Sequence, residues 1–383
     1  MSVTFAKGFT ASGVKAKIKS SGNHDVALVV NEGPLFASTA VFTSNKFKAA
    51  PVLWSQEIMK SGLIKAVILN SGGANACTGP DGFADTHKTA EHVAKILNVA
   101  PINVVVCSTG LIGERLPMEK LLNGCDLAKA ALCKTGGSDA ALAIMTTDSV
   151  PKVSELEVNG FKIGGMAKGA GMLAPGLATM LVCITTDAVV DPIELENALK
   201  AAINVSFNRI DSDGCMSTND TVLLLANGAS GIEPNVLQFS QALETVCKDL
   251  ARQLIADAEG STKDINIKVV NAYTEQDALE VARAVGRSNL LKCAIHGEDP
   301  NWGRVLAATG TTNAKFEADN VDVALNGVWV CRKGMTGDDR NLVSMQNRVV
   351  EIEINLNAGV NEVELWTNDL TAMYVHENSA YSS

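Results

Sequence analysis

Aromatic side chains are scarce in this sequence, at 4% of 383 residues. That excludes an interior built on stacked rings, so the core must be made mostly of Ala, Val, Leu and Ile within an apolar content of 46%. Charge is also sparse, at 19%, and its balance is −10. No window is rich enough in Lys and Arg to displace the counterions of a nucleic acid, which excludes that class of partner. Nor does any stretch approach the ~20 consecutive apolar residues of a membrane-spanning helix. The start, MSVTFAKGFTASGVKAKIKSSG, lacks the apolar run of a secretory leader. The nine cysteines form no Cys-x-x-Cys pair, and an odd number cannot close fully into disulfides. Most lie in apolar runs such as Val106-Cys107 and Val182-Cys183, where a thiol acts as a small hydrophobe. Reduced cysteines in a cytoplasmic protein are expected. His24, His87, His92, His296 and His376 show no ligand spacing, so no metal is expected.

What is present is a chain of 383 residues, enough for about two domains, with 32 glycines to make tight turns. Residues 65–71 read as a buried strand that runs into a Gly-rich loop at 72–80, followed by a helix over about 85–97. A second strand at 103–108 ends on Thr109-Gly110, and a helix over about 117–132 follows, with Pro117 suited to its first turn. Further strands are expected at 161–168, 178–187, 221–226 and 265–272. Helices are expected near 192–202, capped by Asp191, and near 237–258 and 275–285. From 321 to 366 short alternating runs suggest antiparallel strands, with Val350, Ile352, Ile354 and Leu356 on one face. The order mixes α and β without a strict βαβ rhythm, so the expected class is α+β, helices layered on mixed sheets.

One segment stands apart: Lys168-Gly-Ala-Gly-Met-Leu-Ala-Pro-Gly-Leu-Ala-Thr-Met-Leu181. Its three glycines and proline cost conformational entropy in a region otherwise suited to a strand. On composition alone it could be a Gly-rich loop entering a core strand. It is not a Walker A loop, because Gly-x4-Gly-Lys-Ser/Thr is missing, and it carries no Gly-x-Ser-x-Gly elbow. A chemical reading starts at the Ala178–Thr179 bond. A Thr hydroxyl can attack the carbonyl before it and shift the acyl group from N to O. Hydrolysis of that ester frees the α-amine of Thr179, which with a reference pKa near ~8 can act as base to its own hydroxyl.

With these residues the chain resembles, from end to end, the ornithine acetyltransferase family, the glutamate N-acetyltransferases of arginine biosynthesis. The run from Lys168 to Leu181 matches that family's self-cleavage signature. The resemblance implies a nucleophile at Thr179 and cleavage between Ala178 and Thr179. An α chain, 1–178, and a β chain, 179–383, would then share one core in an ornithine acetyltransferase/aminopeptidase-like fold. Ser108-Thr109-Gly110-Leu-Ile-Gly-Glu114 looks like the loop whose Thr and Gly form the family's oxyanion hole. Met145-Thr-Thr-Asp148 looks like the segment with a substrate-binding threonine, Thr146, with Thr147 in the same string as the alternative. Asp257-Ala-Glu259-Gly-Ser-Thr-Lys263 matches the motif with a substrate-contacting Glu259. The last residues, Glu377 to Ser383, carry over Asn378 and Ser383 as binding residues. Asp213-Gly214, Ser217-Thr-Asn-Asp220 and Asp299-Pro-Asn-Trp-Gly-Arg304 are family-like strings without an assigned role. Gly73, where a second Asn is expected, and Cys215-Met216, where Asp-Thr is expected, depart from the pattern.

The implied reaction is ping-pong. N2-acetylornithine acetylates Thr179, ornithine leaves, and glutamate takes the acetyl group, with no cofactor; some family members also accept acetyl-CoA as donor. An isolated Lys is ordinarily a solvated charge, but the resemblance gives Lys168 a place at the site, holding a carboxylate or lowering the amine's pKa. Glu259 suits the δ-ammonium of ornithine or an acid/base role. The implied assembly is α2β2. A self-processing N-terminal-nucleophile amidase or aminopeptidase is the nearest rival, since only access of water separates hydrolysis from transfer. An uncleaved binding protein is another.

Overall fold

A computed structural model of the chain describes residues 1–174 and 180–380. Its strands begin with β1 (Phe9–Val14), β2 (Val26–Asn31), β3 (Ala37–Phe42), β4 (Ala66–Asn70) and β5 (Val104–Ser108). They continue as β6 (Lys152–Val158), β7 (Phe161–Lys168), β8 (Leu181–Thr186), β9 (Thr221–Ala226) and β10 (Asp264–Ala272). The last are β11 (Asp322–Leu325), β12 (Val328–Arg332), β13 (Met335–Thr336), β14 (Val349–Asn355) and β15 (Asn361–Asn368). The helices are α1 (Ala50–Ile58), α2 (Gly79–Leu97), α3 (Met118–Ala130), α4 (Gly137–Ala143) and α5 (Pro192–Asn204). They end with α6 (Val236–Ala256), α7 (Glu275–Gly286), α8 (Asn289–His296), α9 (Trp302–Thr309) and α10 (Ala372–Ala380).

The small apolar composition is used to stack two sheets face to face. The first has the order β1-β2-β4-β5, and β4 and β5 are parallel, joined by α2. Successive side chains alternate faces. Val26, Leu28, Ala66, Ile68, Val104 and Val106 meet α2 and α3, while Ala27, Val29, Val67, Leu69, Val105 and Cys107 point the other way. There they pack on Met166, Leu181, Cys183, Leu223 and Leu225 of the second sheet, whose order is β3-β9-β8-β7-β6. The outer face of that sheet, including Ile163, Val182, Ile184, Val222 and Leu224, is covered by α5 and α6. The result is four layers, helices–sheet–sheet–helices. A third sheet, β13-β12-β11-β14-β10-β15, forms its own core with α7, α8 and α9. Trp366 of β15 reaches into the core under α6 and so ties the two bodies together.

The α+β class and the layered sheets agree with the sequence reading. The helix expected at 192–202 is α5, and Asp191 caps it by accepting from the Ile193 N–H. Other details differ. Beyond the antiparallel pairs β11–β12 and β11–β14 expected in the tail, β14 also runs parallel to β10, because the chain crosses over through α7, α8 and α9 before it returns to the sheet. Helix α2 starts at Gly79 rather than near 85, with Pro80 in its first turn and Asp81 favourably placed at its N-terminus. The strand expected over 178–187 is β8; Ala178 and Thr179 lie outside the described residues. Strands β3, β6 and β7 precede that point and β8 and β9 follow it, so one sheet is woven from both sides.

Candidate active site

The first wall of the site is the end of β5. The loop after it pairs with the loop after β4: Gly73 N–H donates to Thr109 O at 3.0 Å and Ala74 N–H to Leu111 O at 3.0 Å. This close approach requires glycine at 110. Its φ is +130°, and an added Cβ would lie 2.8 Å from the Gly73 nitrogen. Gly73 therefore packs directly against the loop that carries Thr109 and Gly110.

Opposite stands Lys168, the last residue of β7, which is 1% exposed. It is not the solvated charge that an isolated Lys usually is. Its Nζ donates to Thr109 Oγ1 at 3.3 Å, so the hydroxyl proton of Thr109 is left to point elsewhere. Burial pulls the Lys168 pKa down and neighbouring Lys152 pulls the same way, against the opposing attraction of Asp148.

Asp148 organises this region. Its Oδ1 accepts from Lys152 Nζ at 2.5 Å and from Gly169 N–H at 2.7 Å, and its Oδ2 from Thr146 N–H at 2.9 Å. Burial would raise its pKa, but the Lys168 and Lys152 ammoniums overcome that and hold it at about 2. Lys152, 0% exposed, also pairs with Asp257, which in turn accepts from the Ser149 N–H at 2.9 Å. Lys19 adds a bond from Nζ to Met145 O at 2.5 Å. One buried charge cluster thus fixes the Thr146-Thr147 loop, the start of the Gly-rich segment and the end of α6.

Glu259 follows α6. Its N–H donates to Ala170 O at 3.0 Å, and its Oε2 accepts from Asn378 Nδ2 of α10 at 2.9 Å. A Cβ at Gly171 would come 2.7 Å from Glu259 Oε2, which explains a glycine there. Met172 N–H donates to Asp213 Oδ2 at 2.6 Å, and Leu173 bridges Met216. After the undescribed residues, Met180 is held by Asp220: its N–H donates to Asp220 Oδ1 at 3.1 Å, and its O accepts from Thr221 N–H at 3.1 Å. Both flanks of the 175–179 segment are therefore anchored.

These pieces surround one cleft of about 600 Å³. Thr109, Gly110, Thr146, Lys168, Glu259 and Asn378 all line it, as does Thr147, so the two adjacent threonines are not separated by position. Ala178, Thr179 and Ser383 lie outside the described residues. Sequence reasoning left without a role Ser217, Thr218 and Asn219, which also line the cleft; Asn219 Nδ2 donates to Ala74 O at 2.6 Å and Ser108 O at 2.8 Å. It missed Lys152 altogether, and saw Asp148 and Asp257 only as parts of strings. Among the described residues no three His, Cys, Asp or Glu side chains converge as a metal ion would require, and no helix is long and apolar enough to cross a membrane.

Comparison with known proteins adds an independent finding. The profile of the ArgJ family matches residues 10–383. Proteins named "Arginine biosynthesis bifunctional protein ArgJ" from Streptomyces avermitilis and Streptomyces coelicolor are each 62% identical over 383 residues, with 100% of both chains covered. Among solved structures, the ornithine acetyltransferase of Mycobacterium tuberculosis in complex with ornithine is 55% identical. It covers 47% of this chain and 96% of its own, with a TM-score of 0.45.

Proposed function

The chain belongs to the ArgJ family, and on that premise we propose that it carries acetyl from N2-acetylornithine to glutamate on Thr179, after cutting itself between Ala178 and Thr179. It is an acyltransferase of the ArgJ family, and its relatives are named for arginine biosynthesis. The observation that carries the finer reading is the convergence of Thr109, Gly110, Thr146, Lys168, Glu259 and Asn378 on one cleft, beside the anchored flanks of residue 179.

In this reading the free α-amine of Thr179 takes the proton of its own hydroxyl, and the oxygen attacks the acetyl carbonyl of N2-acetylornithine. The Thr109 hydroxyl and Gly110 N–H donate to the developing oxyanion; losing one such donor typically costs about 10²–10³ in rate. The Lys168–Thr109 bond at 3.3 Å directs the Thr109 proton toward that oxyanion. Glu259 meets the δ-ammonium of ornithine, with Asn378 holding one of its oxygens. Thr146 and the C-terminal Ser383 contribute further substrate contacts. Ornithine leaves, glutamate enters the same cleft, and its amine takes the acetyl group. Water must be kept out meanwhile, or the ester is hydrolysed. Acetyl-CoA is proposed as a second donor, since the relatives are named bifunctional. The proposed assembly is α2β2, and the nine unpaired cysteines suit the cytoplasm.

The test is intact-mass measurement of the purified protein with N2-acetylornithine and no acceptor. An adduct of ~42 Da on the piece beginning at Thr179 is expected, as covalent catalysis requires. No adduct, together with no acetylation of added glutamate, rejects the reading. An adduct lost to water as fast with glutamate as without it makes the protein a hydrolase.

A further inference from the structure

The mechanism above leaves one fully buried acid without a task. Asp220 lies just before β9 and is 0% exposed. Its Oδ1 accepts from the N–H of Met180 at 3.1 Å, while Thr221 N–H holds the Met180 carbonyl at 3.1 Å. From the other side β7 pairs with β8, Lys168 opposite Leu181. Residue 180 is thus held at both its N–H and its carbonyl, and the amide nitrogen of residue 179 is one residue away, a span of about 3.8 Å between Cα atoms. The other carboxyl oxygen, Oδ2, is buried and has no hydrogen-bond partner among the described residues. An ionised carboxylate left in this way would be costly. Burial pushes the Asp220 pKa well above the usual carboxylate range, which outweighs the Met180 N–H, the nearby Thr43 and Ser217 hydroxyls and the charge of Lys168. Lys168 is the charged side chain that bears on it, and its own charge is shared with Asp148 and Glu259.

Building on the self-cleavage reading, we propose that Asp220 is the acid of that cleavage, giving its proton to the amide nitrogen of Thr179 as the Ala178–Thr179 bond opens. The Thr179 Oγ forms a bond to the Ala178 carbonyl carbon, and the bond from that carbon to the Thr179 nitrogen breaks. The nitrogen takes the carboxyl proton and the Thr179 hydroxyl proton restores the carboxyl, so the products are an ester and a free amine. Water then hydrolyses the ester to the Ala178 carboxylate. Asp220 also acts as a positioning residue, because the same side chain fixes residue 180.

The test follows the 40.2 kDa full-length chain made by cell-free synthesis. Its conversion to two pieces is timed by denaturing electrophoresis across a pH series, with Asp220→Asn, Asp220→Glu and Thr179→Ala alongside. Asp220→Asn keeps an oxygen for the Met180 N–H but removes the acid, and is expected to slow cleavage by about 10²-fold or more. Asp220→Glu restores a large part of the rate, and wild-type cleavage slows as rising pH ionises Asp220. Cleavage of Asp220→Asn at the wild-type rate, while Thr179→Ala is blocked, overturns the role of Asp220 and leaves self-cleavage standing. A wild-type chain that stays at full length rejects self-cleavage itself. If Asp220→Asn does not fold, the wild-type pH profile decides, and a rate that does not fall with pH overturns the proposal.

Discussion

Asp148 holds three pieces of the cleft at once, through Lys152, Gly169 and Thr146, and its charge is matched to two buried ammoniums. Replacing it with Asn leaves Lys152 buried with only Asp257 opposite, and breaking a buried pair in this way typically costs about 3–5 kcal/mol. Asp148→Asn is therefore expected to lower the thermal midpoint sharply and to weaken substrate binding, as calorimetry and a KM measurement would reveal. The pH dependence has a definite sign. The folded pKa of Asp148, about 2, lies below its unfolded value of ~3.9, so its contribution is complete above ~4 and disappears as pH falls through about 2. Acid titration of the wild type should show a loss over that window that Asp148→Asn lacks. This residue also marks where sequence reading ends. Met145-Thr-Thr-Asp148 was legible as a motif and Lys168 as a member of the site, because motif residues are neighbours in the chain. Lys152 and Asp257 are 105 residues apart and meet only in the fold, so a lysine at the start of a strand gives no local sign that it is buried. Asp220 was likewise visible in a string but not as a group.

At the scale of elements, α10 is the least secured part of the site. It has no buried residue and is tied down by polar contacts: Thr371 Oγ1 to Gly260 O at 2.7 Å, and Asn378 Nδ2 to Glu259 Oε2 at 2.9 Å. Gly260 is in the left-handed region at φ +64°, and an added Cβ would lie 2.3 Å from the Tyr374 nitrogen. Gly260→Ala therefore pushes α10 off Glu259 without touching the core. It should raise KM for ornithine and glutamate about tenfold, the cost of roughly one charge-assisted hydrogen bond, while the thermal midpoint moves little. An unchanged KM would show that α10 does not shape the cleft. The sequence carried Asn378 to the site by resemblance, but the contact with Gly260 was hidden, since a glycine after a helix normally signals only a turn. The same limit explains β14. Its period-2 face was clear from Val350 to Leu356, yet alternation reports which side is buried and not which strand lies alongside, so its parallel pairing with β10 could not be read from it.

For the whole molecule, the decisive fact is that the second sheet takes β3, β6 and β7 from before residue 178 and β8 and β9 from after it. Strands β7 and β8 pair over six residue pairs from Ile163–Thr186 to Lys168–Leu181, and β3 pairs with β9 along its full length. The apolar layer between the sheets mixes Val29, Leu69 and Met166 with Leu181, Cys183 and Leu223. A cut between Ala178 and Thr179 would sever one covalent link and leave all of these contacts in place. Buried apolar area is worth about 25 cal/mol per Å², so neither piece can leave without exposing a sheet face and an unpaired edge. The cleaved protein is accordingly expected to elute as one species in native chromatography, to show two bands only under denaturing conditions, and to unfold in one cooperative step for the two-sheet body. The pieces should also fail to refold separately, because each would carry half of a sheet with its hydrogen-bonding edge open. Recovery of a folded piece 1–178 alone, with native circular dichroism, would contradict this and locate the core on one side of the cut.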